Sequence, residues 1–203
     1  VGKTPLIMHS DNIEWADRMT RWQRDPKNAA ASTAGDDRTP PFRWLGALYH
    51  DGARIVWPSD NIMRCLMAGG ALVRTGSGQK TFKAQTQSGM LVPDLSWPLL
   101  VNGKPIPVAR FLADFETRTW EAWNDLATEF GFMLYLKRAK IGNQKHIRVR
   151  PRFDRWSMAG TLVVLDEAIT EDILSQIGAL AGEYAGFGDW RPSAKTPGPH
   201  GMF

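Results

Sequence analysis

The chain reads as an α+β protein with an antiparallel sheet covered on one side by helices. Short apolar runs separated by turn residues recur along it, two or three amphipathic helical stretches interrupt them, and no regular strand-helix alternation appears. Its 203 residues and 43% hydrophobic content are enough for a sizeable core.

The elements follow in order. Thr4 to His9 is expected as a first strand, and Ser10-Asp11-Asn12, good helix N-caps, open a helix from about Ile13 to Gln23. From Arg24 to Pro41 polar and turn residues remove any apolar period, which predicts a loop or insertion. Phe42 to His50 and Ala53 to Trp57 are expected as two strands joined by Asp51-Gly52, a dipeptide favoured in two-residue hairpin turns. Pro58-Ser59-Asp60-Asn61 then caps a helix of roughly Ile62 to Leu72. Arg74 to Lys83 is basic and glycine-rich and is expected as a flexible loop. Segment 90–112 predicts short strands, and Thr117 to Glu129 predicts a helix. Ser157 to Leu165 is expected as one strand. Thr170-Glu171-Asp172 opens a last helix with Ile173, Leu174, Ile177, Leu180, Ala181 and Tyr184 on one stripe. A glycine loop, Gly186-Phe187-Gly188-Asp189-Trp190-Arg191-Pro192, follows it.

Charge is modest in total and uneven in place. The net charge is +4, yet residues 137–155 hold eight Lys or Arg against one acid, Asp154. Within this segment Ile147 and Val149 alternate with Arg148, Arg150 and Arg152, so one face of a strand is apolar and the other carries three guanidiniums. Such local concentration marks a polyanion-binding face, a solvated surface being the plainer alternative. Arg148, Arg150 and Arg152 are the expected phosphate contacts. Lys137, Arg138, Lys140, Lys145 and His146 flank them, and Arg74, Lys80 and Lys83 stand on the earlier basic loop. Trp190 with Arg191 is a candidate stacking pair, a core role for Trp190 being the alternative. Nine tryptophans, several beside Arg or Asp as at Trp15, Trp22, Trp44 and Trp57, suit base stacking or protein interfaces.

Enzyme signatures are missing. Four histidines show no HExxH or His-x-His spacing, so no metal is expected; no phosphate-loop, nucleophile-elbow or other cofactor motif is present. No catalytic residue is assigned, although His146 or His9 would serve a single-strand-specific endoribonuclease. A lone cysteine, Cys65, forms no internal disulfide and sits among apolar neighbours. No run approaches the roughly 20 apolar residues of a membrane span. With no signal-peptide pattern, and Val1 read as following a removed initiator methionine, a cytoplasmic protein without membrane partners is expected.

Two motifs carry a resemblance. Ile55-Val56-Trp57-Pro58-Ser59-Asp60-Asn61-Ile62-Met63-Arg64-Cys65-Leu66 resembles the hairpin-Pro-Ser-helix element near the start of RAMP-superfamily proteins, the backbone subunits of CRISPR effector complexes. The terminal strand-helix unit with its Gly186 to Pro192 loop resembles the glycine-rich loop closing their ferredoxin-like, RNA-recognition-type domain. The layout is also similar to phage-encoded proteins ending in Gly-Asp-Trp-Arg-Pro. The resemblance implies one RAMP-like domain over 1–203, with insertions at about 24–41, 73–90 and 112–135. It further implies a non-catalytic subunit that self-associates head to tail along a single-stranded guide RNA. A complementary target nucleic acid is then a candidate second partner, and the cytoplasm of a bacterial host the setting if the chain is phage-encoded. A phage structural or assembly protein is a third reading, in which the tryptophans make subunit contacts.

Overall fold

The computed structural model describes residues 1–28, 31, 35–76, 78–141 and 144–203. The side chains of Lys140, Ile141 and Gln144, and parts of the expected loops at 24–41 and 74–83, lie outside the described residues. The fold is α+β with antiparallel sheets. In chain order come β1 (Leu6–Ile7), α1 (Ile13–Arg24), β2 (Val56–Pro58), α2 (Ser59–Gly70), α3 (Lys83–Ser88) and β3 (Met90–Leu91). Next are β4 (Ser96–Val101), β5 (Lys104–Pro105), α4 (Ala109–Leu112), α5 (Trp120–Glu129), β6 (Met133–Ile141) and β7 (Gln144–Phe153). Last are β8 (Ser157–Met158), β9 (Val163–Val164) and α6 (Glu171–Leu180), which continues into a π-turn, Ala181–Ala185. No described helix is long and apolar enough to cross a membrane.

The chain forms two compact units that interleave in sequence: 1–7, 56–105 and 154–203, then 8–55 and 106–153. In the first unit β4 is the organising strand. It pairs antiparallel with β2, β5 and β8, and β3 pairs with β9. The β4–β5 turn is Asn102-Gly103, both at positive φ (52° and 74°), the geometry that twists a two-residue hairpin correctly. Helix α2 lies close against the last helix because Gly69 has no side chain: a Cβ there would strike the Ile177 carbonyl. Cys65, beside the Ala181 and Gly186 carbonyls, is buried, and that burial pushes its thiol up to about 12. It is a packed side chain and no nucleophile at neutral pH.

The second unit is built on the β6–β7 ribbon and an aromatic core. Trp44 and Trp123 meet edge to face at 5.4 Å, Trp44 and Phe111 at 6.0 Å, and Phe132 packs on Phe153 at 5.0 Å. Thr119 caps α5 through its hydroxyl and Asn12 caps α1 through its amide oxygen.

Several expectations are corrected. Phe42 to His50 is not a strand: Arg43–Ala47 is a 3-10 turn that buries Trp44 and Leu45 together, and only the bridge His50↔Ile55 survives around Asp51-Gly52. Helix α2 begins at Ser59 rather than Ile62, with Pro58 as its N-cap and no side-chain cap. The strand expected over 157–165 is broken at 159–162, leaving two short pairs with different partners. Tyr184 leaves the expected apolar stripe, because the π-turn shifts the register and exposes its ring. Trp44 and Trp57 are 1% and 2% exposed, which makes them core residues rather than base-stacking platforms.

Candidate nucleic-acid interface

Strands β6 and β7 pair from Met133↔Arg152 to Ile141↔Gln144, one unbroken antiparallel ladder. Directly opposed residues share a face. Met133, Tyr135, Lys137 and Ala139 therefore lie on one side with Arg152, Arg150, Arg148 and His146. The apolar alternation holds on the other side, where Val149 and Phe153 are fully buried. Register also divides the flanking cations. Lys137 stands across from Arg148 on the arginine face, whereas Arg138, Lys145 and the backbone position of Lys140 belong to the opposite face. Neither strand contains an acid.

What disciplines the arginine face comes from the polar insertion. Gly35–Asp37 runs along β7: the Asp37 amide donates to the Ile147 carbonyl at 2.9 Å and the Ile147 amide to the Gly35 carbonyl at 2.7 Å. Gly35, at φ 78°, also makes room for the His146 ring, which a Cβ would displace. Asp36 turns toward Arg38, whose guanidinium donates to it at 2.6 Å; these bonds hold the Asp36 carboxyl below the usual carboxylate range. Asp37 is buried, accepts from Arg148 and Arg150 at 3.3 Å, and is ion-paired with Arg43 at 3.4 Å. The Arg150 guanidinium further meets His9 Nε2 at 3.2 Å and donates to the Val149 carbonyl at 2.8 Å. Arg152 lies 5.2 Å over the Tyr135 ring, a cation–π contact.

Helix α1 faces this cluster. Together they line a cavity of about 300 Å³ whose wall includes His9, Ser10, Asn12, Trp15, Arg43, Asp37, Arg148 and Arg150. Arg43, Asp37 and His9 are the members of this cluster that charge counting along the sequence leaves out. The doubled acid at 36–37 inside a polar loop was the signal available for one of them.

The remaining candidates lie in the first unit. Arg74, Lys80 and Lys83 are exposed around a small turn closed by the Arg74↔Thr81 bridge and the Thr75 amide to Lys80 carbonyl bond at 3.1 Å. Trp190 stacks on His200 at 4.9 Å, and the Arg191 guanidinium donates to the Gly188 carbonyl at 2.9 Å and to Ser193 Oγ at 3.0 Å. The amides of the glycine loop also have protein acceptors: Phe187 donates to Gly201 and Asp189 to Ile7. Among the described residues no group of three or more His, Cys, Asp or Glu is placed to hold a metal ion. No family model, curated protein or solved structure matches the chain.

Proposed function

We propose that this chain is a non-catalytic single-stranded RNA-binding protein that assembles head to tail on a guide RNA. The arginine face of the β6–β7 ribbon then lies on the sugar-phosphate backbone. The observation that carries this reading is the register: Lys137, Arg148, Arg150 and Arg152 gather on one face of an acid-free ribbon. Guanidiniums in a fixed row suit phosphates bidentately, and an aromatic such as Tyr135 beside them suits a base. Arg74, Lys80 and Lys83 supply a second basic element, while Trp190 and Arg191 act chiefly within their own loop. On this reading the first unit, with α2 and α6 packed together beside antiparallel strands, is the ferredoxin-like, RNA-recognition-type part.

The test is to purify the protein from cells and sequence what co-purifies after separate RNase and DNase treatment. A defined small RNA in a high-mass particle is expected. A nucleic-acid-free monomer contradicts the proposal, and a nucleic-acid-free assembly favours a structural protein. One observation favours a second reading, a single-strand endoribonuclease: exposed His9 sits against Arg150 in a cavity with two further arginines. Cleavage of labelled RNA that disappears in His9→Ala establishes that reading; the binding reading expects no product from either protein.

A further inference from the structure

We propose that the cavity between α1 and the arginine face of β7 is a binding site for a phosphate monoester, the group carried by a mononucleotide or by the phosphorylated end of an RNA. This site shares Arg148 and Arg150 with the arginine face above, adds Arg43, and is argued from the cavity itself.

Three guanidiniums from two parts of the chain converge on it, Arg148 and Arg150 from β7 and Arg43 from the 3-10 turn. Each carries up to five N–H donors in a fixed fork; Arg150 also meets the Val149 carbonyl and His9, while one buried carboxylate is shared among all three. The fit to Asp37 is also loose. Its contacts of 3.3 to 3.4 Å are long beside the 2.6 Å contact that Arg38 makes with neighbouring Asp36, and beside the roughly 2.7–2.9 Å of a good charge-assisted bond. All three arginines also line the cavity. A tetrahedral phosphate with three terminal oxygens suits three such donors.

Charge agrees. Three arginines face two carboxylates on the lining, Asp37 and the exposed Asp11, so positive charge remains before any ligand enters. Size agrees as well: about 300 Å³ exceeds what an isolated small ion needs and reaches the lower range of ligand pockets. The lining supplies a hydroxyl at Ser10, an imidazole at His9 and an indole wall at Trp15, suited to a group attached to the phosphate. A monoester fits better than a diester because its extra charge and third terminal oxygen match a third guanidinium.

The test follows thermal unfolding and direct binding of the full chain with inorganic phosphate, AMP, and one short RNA bearing either a 5′-phosphate or a 5′-hydroxyl. Wild type is expected to show a saturable rise in unfolding temperature with phosphate and AMP, and to prefer the phosphorylated RNA. Ser10→Glu places a carboxylate in the cavity without touching an arginine and is expected to weaken binding about tenfold or more. Asp37→Asn removes the competing anion. Its unfolding temperature is expected to fall without ligand and to rise more with phosphate than that of wild type, the opposite of what a merely structural Asp37 produces. If Asp37→Asn does not fold, Ser10→Glu alone decides. Tighter binding of phosphorylated RNA than of AMP assigns the site to an RNA end; the reverse assigns it to a mononucleotide. No saturable response to phosphate or AMP, or wild-type binding by Ser10→Glu, overturns the site. RNA that binds equally with either end while phosphate and AMP do nothing overturns it too, yet leaves the backbone-binding proposal standing.

Discussion

The β6–β7 ribbon and the Gly186 to Pro192 loop are made of similar residues, arginine beside aromatic rings, and the fold uses them in opposite ways. In the loop, glycines at φ 67° and 75° let the chain double back until Gly188 abuts the Ile7 carbonyl, where a Cβ has no room. Arg191 then closes the turn through the Gly188 carbonyl, and Trp190 stacks on His200. In the ribbon, the two-residue period of a strand fixes side chains to one face and keeps them apart. One buried carboxylate is shared by three arginines there, and the Arg152 guanidinium lies over the Tyr135 ring. Backbone curvature turns polar groups onto the loop itself, whereas an extended ladder lines them up along one face.

That contrast can be broken experimentally at several points. The largest effect is expected at the loop's closing turn. Gly201→Ala adds a Cβ against the Phe187 carbonyl at φ 71° and should cost about 3 kcal/mol in urea denaturation, with RNA affinity of the folded fraction unchanged. The double change Lys137→Glu with Arg152→Glu should lower RNA affinity by about tenfold or more. The log-log salt slope should fall by roughly 1.4. Trp190→Ala should cost about 1 kcal/mol of stability through its lost stack and leave RNA affinity in place; a large affinity loss would move the interface to the loop.

The smallest effect concerns acid. Arg38 holds Asp36 ionised below the ordinary carboxylate range, so the stability this contributes is present above the unfolded value, about 3.9, and is lost only as pH falls through the lower folded value. Asp36→Asn should therefore flatten the acid limb of a plot of unfolding temperature against pH and leave its neutral shape alone.

The parts legible in the sequence are those written in local patterns. The α+β class, helix α1 with its Asn12 cap, helix α5 and the alternation through Arg148, Arg150 and Arg152 all follow from period and capping chemistry. Phe42 to His50 misleads because a continuous apolar run has no period, and burial of Trp44 in the aromatic core favours a 3-10 turn. Position 159–162 shows the same limit: hydrophobicity predicts a strand, while Gly160, packed on the Trp97 ring, marks the place where pairing changes partner. The division of Lys137 from Arg138 needs the cross-strand register, which only the partner strand supplies. The cavity was illegible for the same reason. His9, the Asp37 to Arg43 segment and the arginines of β7 are far apart in sequence and meet only after folding.

The most direct measurement compares the ribbon's two faces. Binding of a labelled single-stranded RNA is titrated across a salt series for wild type, for Lys137→Glu with Arg152→Glu, and for Arg138→Glu with Lys145→Glu. Each double variant reverses two charges and gives the same net charge. A clear loss of affinity and a shallower salt slope are expected for the first pair, with a much smaller change for the second. Equal losses from the two pairs, or wild-type RNA binding that does not respond to salt, rule out the arginine face as the RNA contact.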